Sequence, residues 1–265
     1  AREEMDRKTS FDHKFFHTSL EQSSCTDPQI RLLLELTYEA LVEAGVQDFS
    51  TLPRRDTGVY VGSSFSDFQQ RILADDNHVK GGDHIGAAGS MLANRISQYF
   101  RFGGPSMKVD SACSSSLQAL DIACSDIKSG KVKMAIVAGS NLIIDPMVTK
   151  VFQDMHMVSV ATLPAACKTF SGLADGYVRK EAISVLVISS EEVLESHGIS
   201  SVAEILGHCT LSGSGHGITT PCVDTQELLY RKVATMAKSL AHVNMPPVRY
   251  VECHGTGTKV GDEAE

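Results

Sequence analysis

Two short stretches of the 265-residue chain carry residue types that could make and break covalent bonds. The first, VDSACSSSLQAL (residues 109–120), places the thiol of Cys113 where an apolar run ends and a helical pattern begins. A thiol at a helix start feels unpaired backbone N–H groups and the positive end of the helix dipole. Both favour thiolate and lower the pKa below the free value of about 8.5. The small neighbours Ser111, Ala112, Ser114 and Ser115 leave room for a substrate backbone, and the same turn offers a backbone N–H to a developing oxyanion. On the local pattern alone, a buried and inert cysteine is the commoner outcome. The second stretch, ECHGTGTKVGD (252–262), ends a strand pattern in His254 and then alternates two glycines with two threonines. The glycines let backbone come close to a ligand, and the hydroxyls of Thr256 and Thr258 can donate or accept along an extended polar chain. A lone loop histidine is ordinarily a surface or packing residue. Together, a cysteine at a helix start and a distant histidine make a nucleophile and base pair suited to thioester chemistry.

The elements that must position these residues follow from local patterns. DPQIRLLLELTYEALVEAG (27–45) reads as a helix with Asp27 as N-cap, Pro28 at the first helical position and Gly45 just past the end. Its residues Ile30, Leu33, Leu34, Leu41 and Val42 approximate one face. TGVYVGSS (57–64) reads as a buried strand, 88–99 as a helix, and PSMKVDSA (105–112) as the strand feeding Cys113. Residues 115–130 are helical, with Leu117, Leu120, Cys124 and Ile127 in register and Gly130 as the stop. KMAIVAGSNLII (133–144) is the near-continuous apolar run of a strand covered on both faces. Strands are also expected at 182–189, 201–213 and 248–254, with a helix from Gln226 to His242. Strands alternating with helices predict an α/β fold with layered sheets.

Composition narrows the function class. With 42% apolar and 21% charged residues the chain is globular, and a net charge of −8 gives no footprint for nucleic acid. No run of 18 apolar residues or signal peptide occurs, so no membrane segment is expected. Seven cysteines without repeated spacing suit free thiols in a reducing, cytoplasmic setting. Of these, Cys25, Cys124, Cys167, Cys209, Cys222 and Cys253 read as packing or incidental thiols. His208, Cys209, His216 and Cys222 match no zinc spacing, and GSGHG (213–217) is neither a nucleophile elbow nor a phosphate loop.

VDSACSSSL and HGTGT resemble the active-site cysteine motif and first histidine motif of β-ketoacyl synthases, the condensing domains of fatty acid and polyketide synthases. DPQIRLLLELTYEAL, LANRIS, AGSNLI and CKTF followed by ADGYVRKEA agree in order, so the resemblance runs from about Phe11 to the last residue. It is closest to type I multidomain, animal-type fatty acid synthase-like enzymes. The resemblance implies a thiolase-like fold of layered helices and sheets. It assigns 1–10 to a polar stretch, 11–243 to an N-terminal half and 244–265 to the start of a C-terminal half. Cys113 would accept an acyl group from a phosphopantetheine thioester, its own amide supplying one oxyanion donor. A malonyl thioester would then lose carbon dioxide and attack the acyl-cysteine. His254 would polarise the malonyl carbonyl, and Thr256 and Thr258 would line the pantetheine arm. No metal or dissociable cofactor is implied, because the phosphopantetheine arm belongs to an acyl carrier protein. A homodimer is implied as well.

Four departures stand beside the resemblance. The family's second catalytic histidine and its lysine do not occur before Glu265, so the 265-residue chain alone is expected not to condense. The family's opening strand does not precede Phe11. The segment 157–170 is about three residues longer than the family's loop. Lys180 and Ala182 stand where small residues or glycines are expected. Asp262 and Glu265 resemble an acidic pair that orients the histidine loop. Two function classes follow: an acyltransferase, or a catalytically silent relative kept as a dimerisation scaffold. A scaffold needs neither Cys113 nor His254, which favours the enzyme. Coenzyme A-dependent relatives such as chalcone synthase or thiolase fit the motif pair less well.

Overall fold

The computed structural model describes residues 10–74, 85–160, 166–213, 220–240 and 247–265. GSGHG beyond Gly213, His216 and residues 161–165 of the long segment lie outside them. The described helices are α1 (Leu20–Ser24), α2 (Pro28–Glu43), α3 (Asp67–Ala74), α4 (Met91–Phe100), α5 (Ser115–Lys128), α6 (Pro146–Asp154), α7 (Glu191–His197), α8 (Val223–Leu240) and α9 (Lys259–Ala264). The strands are β1 (Thr57–Gly62), β2 (Ser106–Val109), β3 (Met134–Asn141) and β4 (Ala182–Ser189). The chain divides into two compact units, residues 1–145 with 180–202, and residues 146–179 with 203–265.

The first unit is built on one sheet of order β2-β1-β3-β4, in which the first three strands are parallel and β4 runs antiparallel to β3. The pairing of Gly62 with Val109 and with Gly139 brings the carboxyl ends of β1, β2 and β3 level. Both faces of β1 are buried, as its unbroken apolar run requires. On one face Val59, Val61 and Ile136 pack with Ile30, Leu33 and Leu41 of α2 and with Leu92 and Ile96 of α4. On the other face Tyr60, Ala135 and Val137 meet Ala119 and Ala123 of α5. Helix α2 begins as its sequence predicts: the Asp27 carboxylate accepts the Gln29 N–H at 2.8 Å, Pro28 needs no partner for a missing donor, and Gly45 takes φ +86° beyond the end.

Three expectations are corrected. Leu117 does not face the core but is exposed; the buried stripe of α5 is Ser115, Ala119 and Ala123. Small residues are needed there because α5 lies directly on strand backbone. A methyl group at Gly62 would stand 2.4 Å from the backbone of Ser115 and Ser116, and one at Gly139 would stand 3.0 Å from Ser116 Cβ. Residues 201–213 and 248–254 form no strand among the described residues. A strand exists only when a neighbour takes its backbone hydrogen bonds. None of the described segments does so here, and Val202, Val248 and Tyr250 stay exposed.

Candidate functional site

β2 ends at Val109, and the chain then turns through Asp110 and Ser111 into a 3-10 turn, Ala112–Ser114, that runs into α5. Cys113 lies in the middle of this turn and is exposed, not buried as the commoner reading of the local pattern had it. The residue before it is strained. Ala112 has φ +55°, a left-handed conformation that side-chain-bearing residues rarely adopt. Side chains hold it from three sides. The Ala112 N–H donates to Asp110 Oδ1 at 3.2 Å, and Asp110 itself pairs with Lys108 at 3.3 Å. The Ala112 carbonyl accepts from Ser64 Oγ at 2.8 Å and from Ser115 Oγ at 2.6 Å. Ser115 Oγ also accepts the Ser111 N–H at 3.0 Å.

His254, Thr256 and Thr258 are brought together in the second unit, in the loop that leads into α9. This loop is pinned by two carboxylates. Glu265 accepts the His254 N–H and the Gly255 N–H, each at 2.7 Å. Asp262 accepts the Gly257 N–H at 2.9 Å and the Phe170 N–H at 2.5 Å. The acidic pair therefore orients the loop, as the sequence suggested. Thr256 and Thr258 share a hydrogen bond at 2.9 Å between their hydroxyls. The glycines are conformational requirements: Gly255 and Gly257 have φ +54° and +73°, and a methyl group at Gly257 would stand 3.0 Å from the amide nitrogen of Lys168.

The segment 168–179 closes around the loop. Thr169 Oγ1 donates to the Gly255 carbonyl at 2.5 Å, and the Gly176 N–H to the Gly257 carbonyl at 3.0 Å. Lys168 pairs with Asp175 at 2.8 Å; its hydrogen bond, with one from Ser159, holds the Asp175 carboxyl below its ordinary value. Arg179 donates to Thr149 Oγ1 at 2.6 Å and lies 5.3 Å over the ring of Phe152 in α6. Phe170, exposed and at φ +55°, is the strained residue of this segment.

In the first unit Ala182 opens β4 opposite Asn141, whose side chain donates to the Lys180 carbonyl at 2.9 Å. Glu181 accepts the Ile143 N–H at 2.8 Å, so the RKEA loop continues the sheet through side chains. The sequence reading missed Ser64, Asp110, Thr169 and Phe170 as parts of the two loops. For Ser64 the available signal was a pair of small polar residues directly after β1. No cluster of three or more potential metal ligands, and no helix long and apolar enough to cross a membrane, occurs among the described residues.

Comparison with known proteins agrees with this architecture. Residues 1–193 match the family model "Beta-ketoacyl synthase, N-terminal domain", and residues 202–265 match "Beta-ketoacyl synthase, C-terminal domain". The chain is 37% identical over 257 residues to a fatty acid synthase of Anser anser anser, covering 97% of the chain and 70% of that relative. It is 38% identical over 259 residues to a phenolphthiocerol/phthiocerol polyketide synthase of Mycobacterium bovis, covering 97% of the chain but only 13% of that protein. Among solved structures, the oxazolomycin ketosynthase domain of Streptomyces albus superposes with a TM-score of 0.85 at 29% identity, over 97% of this chain and 44% of that one. The ketosynthase from module 6 of the Bacillus subtilis bacillaene synthase gives 0.82 at 28% identity, over 98% and 42%. The layered α/β architecture is thus that of the ketosynthases, and the chain belongs to the β-ketoacyl synthase family.

Proposed function

We propose that this chain is part of a condensing enzyme of fatty acid or polyketide synthesis, with Cys113 as the acyl-accepting nucleophile. The observation that carries the reading is the exposed thiol of Cys113 in a strained turn at the start of α5, in a chain of this family. Acyl transfer begins with attack of Cys113 Sγ on a thioester carbonyl. A C–S bond forms as the carbonyl oxygen takes negative charge, and the carrier thiol then leaves with the proton. The Cys113 N–H serves as one donor to that oxyanion. In the second half-reaction a malonyl thioester loses carbon dioxide, and its carbanion attacks the acyl-cysteine and releases the thiol. His254 donates to the malonyl carbonyl as enolate charge develops, while Thr256 and Thr258 line the pantetheine arm.

The acyl and malonyl groups arrive on the phosphopantetheine arm of an acyl carrier protein, and the chemistry as written uses no metal or dissociable cofactor of its own. Free thiols suit a reducing cytoplasm. Among the described residues β2 is paired on one side only, by β1, and its open edge suits antiparallel addition of a second copy across a twofold axis. Acyl transfer and malonyl decarboxylation, assayed separately in the intact protein, test these roles. Cys113→Ala should abolish acylation. His254→Ala should keep acylation and lose decarboxylation. Loss of both by His254→Ala, with the fold intact, would overturn the division of labour.

A further inference from the structure

The peptide group joining Ala112 to Cys113 has two ends with different partners. Its N–H is the amide of Cys113. Its carbonyl oxygen, on Ala112, accepts three donors: the Ser115 N–H, Ser115 Oγ at 2.6 Å and Ser64 Oγ at 2.8 Å. Ser115 is buried and Ser64 half-buried, while Ala112 itself and its bond from Ser64 are exposed. Hydrogen bonds to a carbonyl polarise the whole amide and make its N–H a stronger donor. The same bonds fix Ala112 at φ +55°, which sets where the Cys113 N–H points. The two hydroxyls come from different elements, one from the loop after β1 and one from α5, so the peptide is gripped from both sides.

We propose that Ser64 and Ser115 are positioning residues that orient and polarise the Cys113 N–H as the oxyanion donor of acyl transfer. This rests on the reading of Cys113 as the acyl-accepting nucleophile. The two hydroxyls act on the charge that develops on the thioester oxygen and only secondarily on the thiol. Their removal therefore separates two reactions of the same sulfur. Thioester acylation passes through a tetrahedral oxyanion, whereas alkylation by iodoacetamide displaces iodide directly and forms none.

Wild type, Ser64→Ala, Ser115→Ala and Ser64→Thr are compared in the 265-residue chain. Acylation of Cys113 by an octanoyl N-acetylcysteamine thioester and its alkylation by iodoacetamide are each followed by peptide mass spectrometry. The alanine variants are expected to acylate about ten-fold more slowly, the equivalent of losing one hydrogen bond in the transition state. Their alkylation rates and the pH profile of alkylation should stay within about two-fold of wild type. Ser64→Thr, which keeps the hydroxyl at a half-buried position, should acylate as wild type does. Equal loss of acylation and alkylation, or unchanged acylation, would overturn the proposal. No acylation of Cys113 in the wild type would instead overturn the nucleophile assignment beneath it, with iodoacetamide labelling confirming an accessible thiol.

Discussion

Replacing Gly62 with alanine asks whether the seat of α5 sets the reactivity of Cys113. Gly62 is the last residue of β1, and the new methyl group would lie 2.4 Å from the carbonyl carbon of Ser115 and the amide nitrogen of Ser116. Ordinary contact begins at 3.4 Å, so the start of α5 must retreat by about 1 Å. The colliding atoms are backbone and cannot swing aside like a flexible side chain. Overpacking of this kind costs about 1–3 kcal/mol of stability. Displacing a reacting group by about 1 Å costs on the order of a hundred-fold in rate. Gly130→Ala is the matched control, at the other end of the same helix. It has φ +73° and nothing within 4 Å, so alanine there strains the backbone without moving the nucleophile turn. The assay is acyl transfer from an N-acetylcysteamine thioester to Cys113, with urea unfolding run in parallel. Gly62→Ala should lose about a hundred-fold in acylation, while Gly130→Ala should lose about 1 kcal/mol of stability and acylate normally. Acylation of Gly62→Ala within about two-fold of wild type would refute the dependence on helix seating.

Tyr60 is fully buried and donates to Asp126 Oδ2 at 2.6 Å; against the desolvation that would raise it, this bond and the hydrogen bond and charge of Lys131 hold the Asp126 carboxyl below its ordinary 3.8. A depressed carboxylate contributes stability above the unfolded pKa and loses it as pH falls through the folded one, so Tyr60→Phe should lower the melting temperature at pH 7 and flatten the loss of stability below about pH 4. In alkylation mapping Cys113 should label first and Cys222 next, because hydrogen bonds from Thr225 lower the Cys222 thiol. Cys124, raised by burial and by Asp121, should label last, and Thr225→Ala should slow Cys222 alone. Asp262→Ala removes the acceptor of the Phe170 and Gly257 amides, and should cost about 1–2 kcal/mol by urea unfolding while leaving acylation of Cys113 unchanged.

The cysteine turn, the histidine loop and the helices that carry local end signals were legible in the sequence. Asp27-Pro28 and Gly45 mark the ends of α2 because capping and left-handed termini depend on neighbouring residues alone. β1 and β3 were legible because a strand buried on both faces must be apolar at every position. What escaped depends on partners distant in the chain. The outward turn of Leu117 follows from the closeness of α5 to Gly62 and Gly139, and periodicity counts large apolar residues and overlooks Ser115, Ala119 and Ala123. The stretches 201–213 and 248–254 read as strands, but pairing is a tertiary property and no described strand supplies it. In the site, Cys113 and His254 announced themselves by residue type. Ser64 and Thr169, 49 and 85 residues away from those two, could be found only once the loops were seen folded.

The most direct test of the central assignment is peptide mass spectrometry of the 265-residue chain after incubation with an acyl N-acetylcysteamine thioester. A single acyl adduct should map to the peptide carrying Cys113, be released by hydroxylamine as a thioester is, and vanish in Cys113→Ala while Cys222 still alkylates. An adduct on another cysteine, or one that survives Cys113→Ala, would contradict the assignment of Cys113 as the acyl-accepting nucleophile.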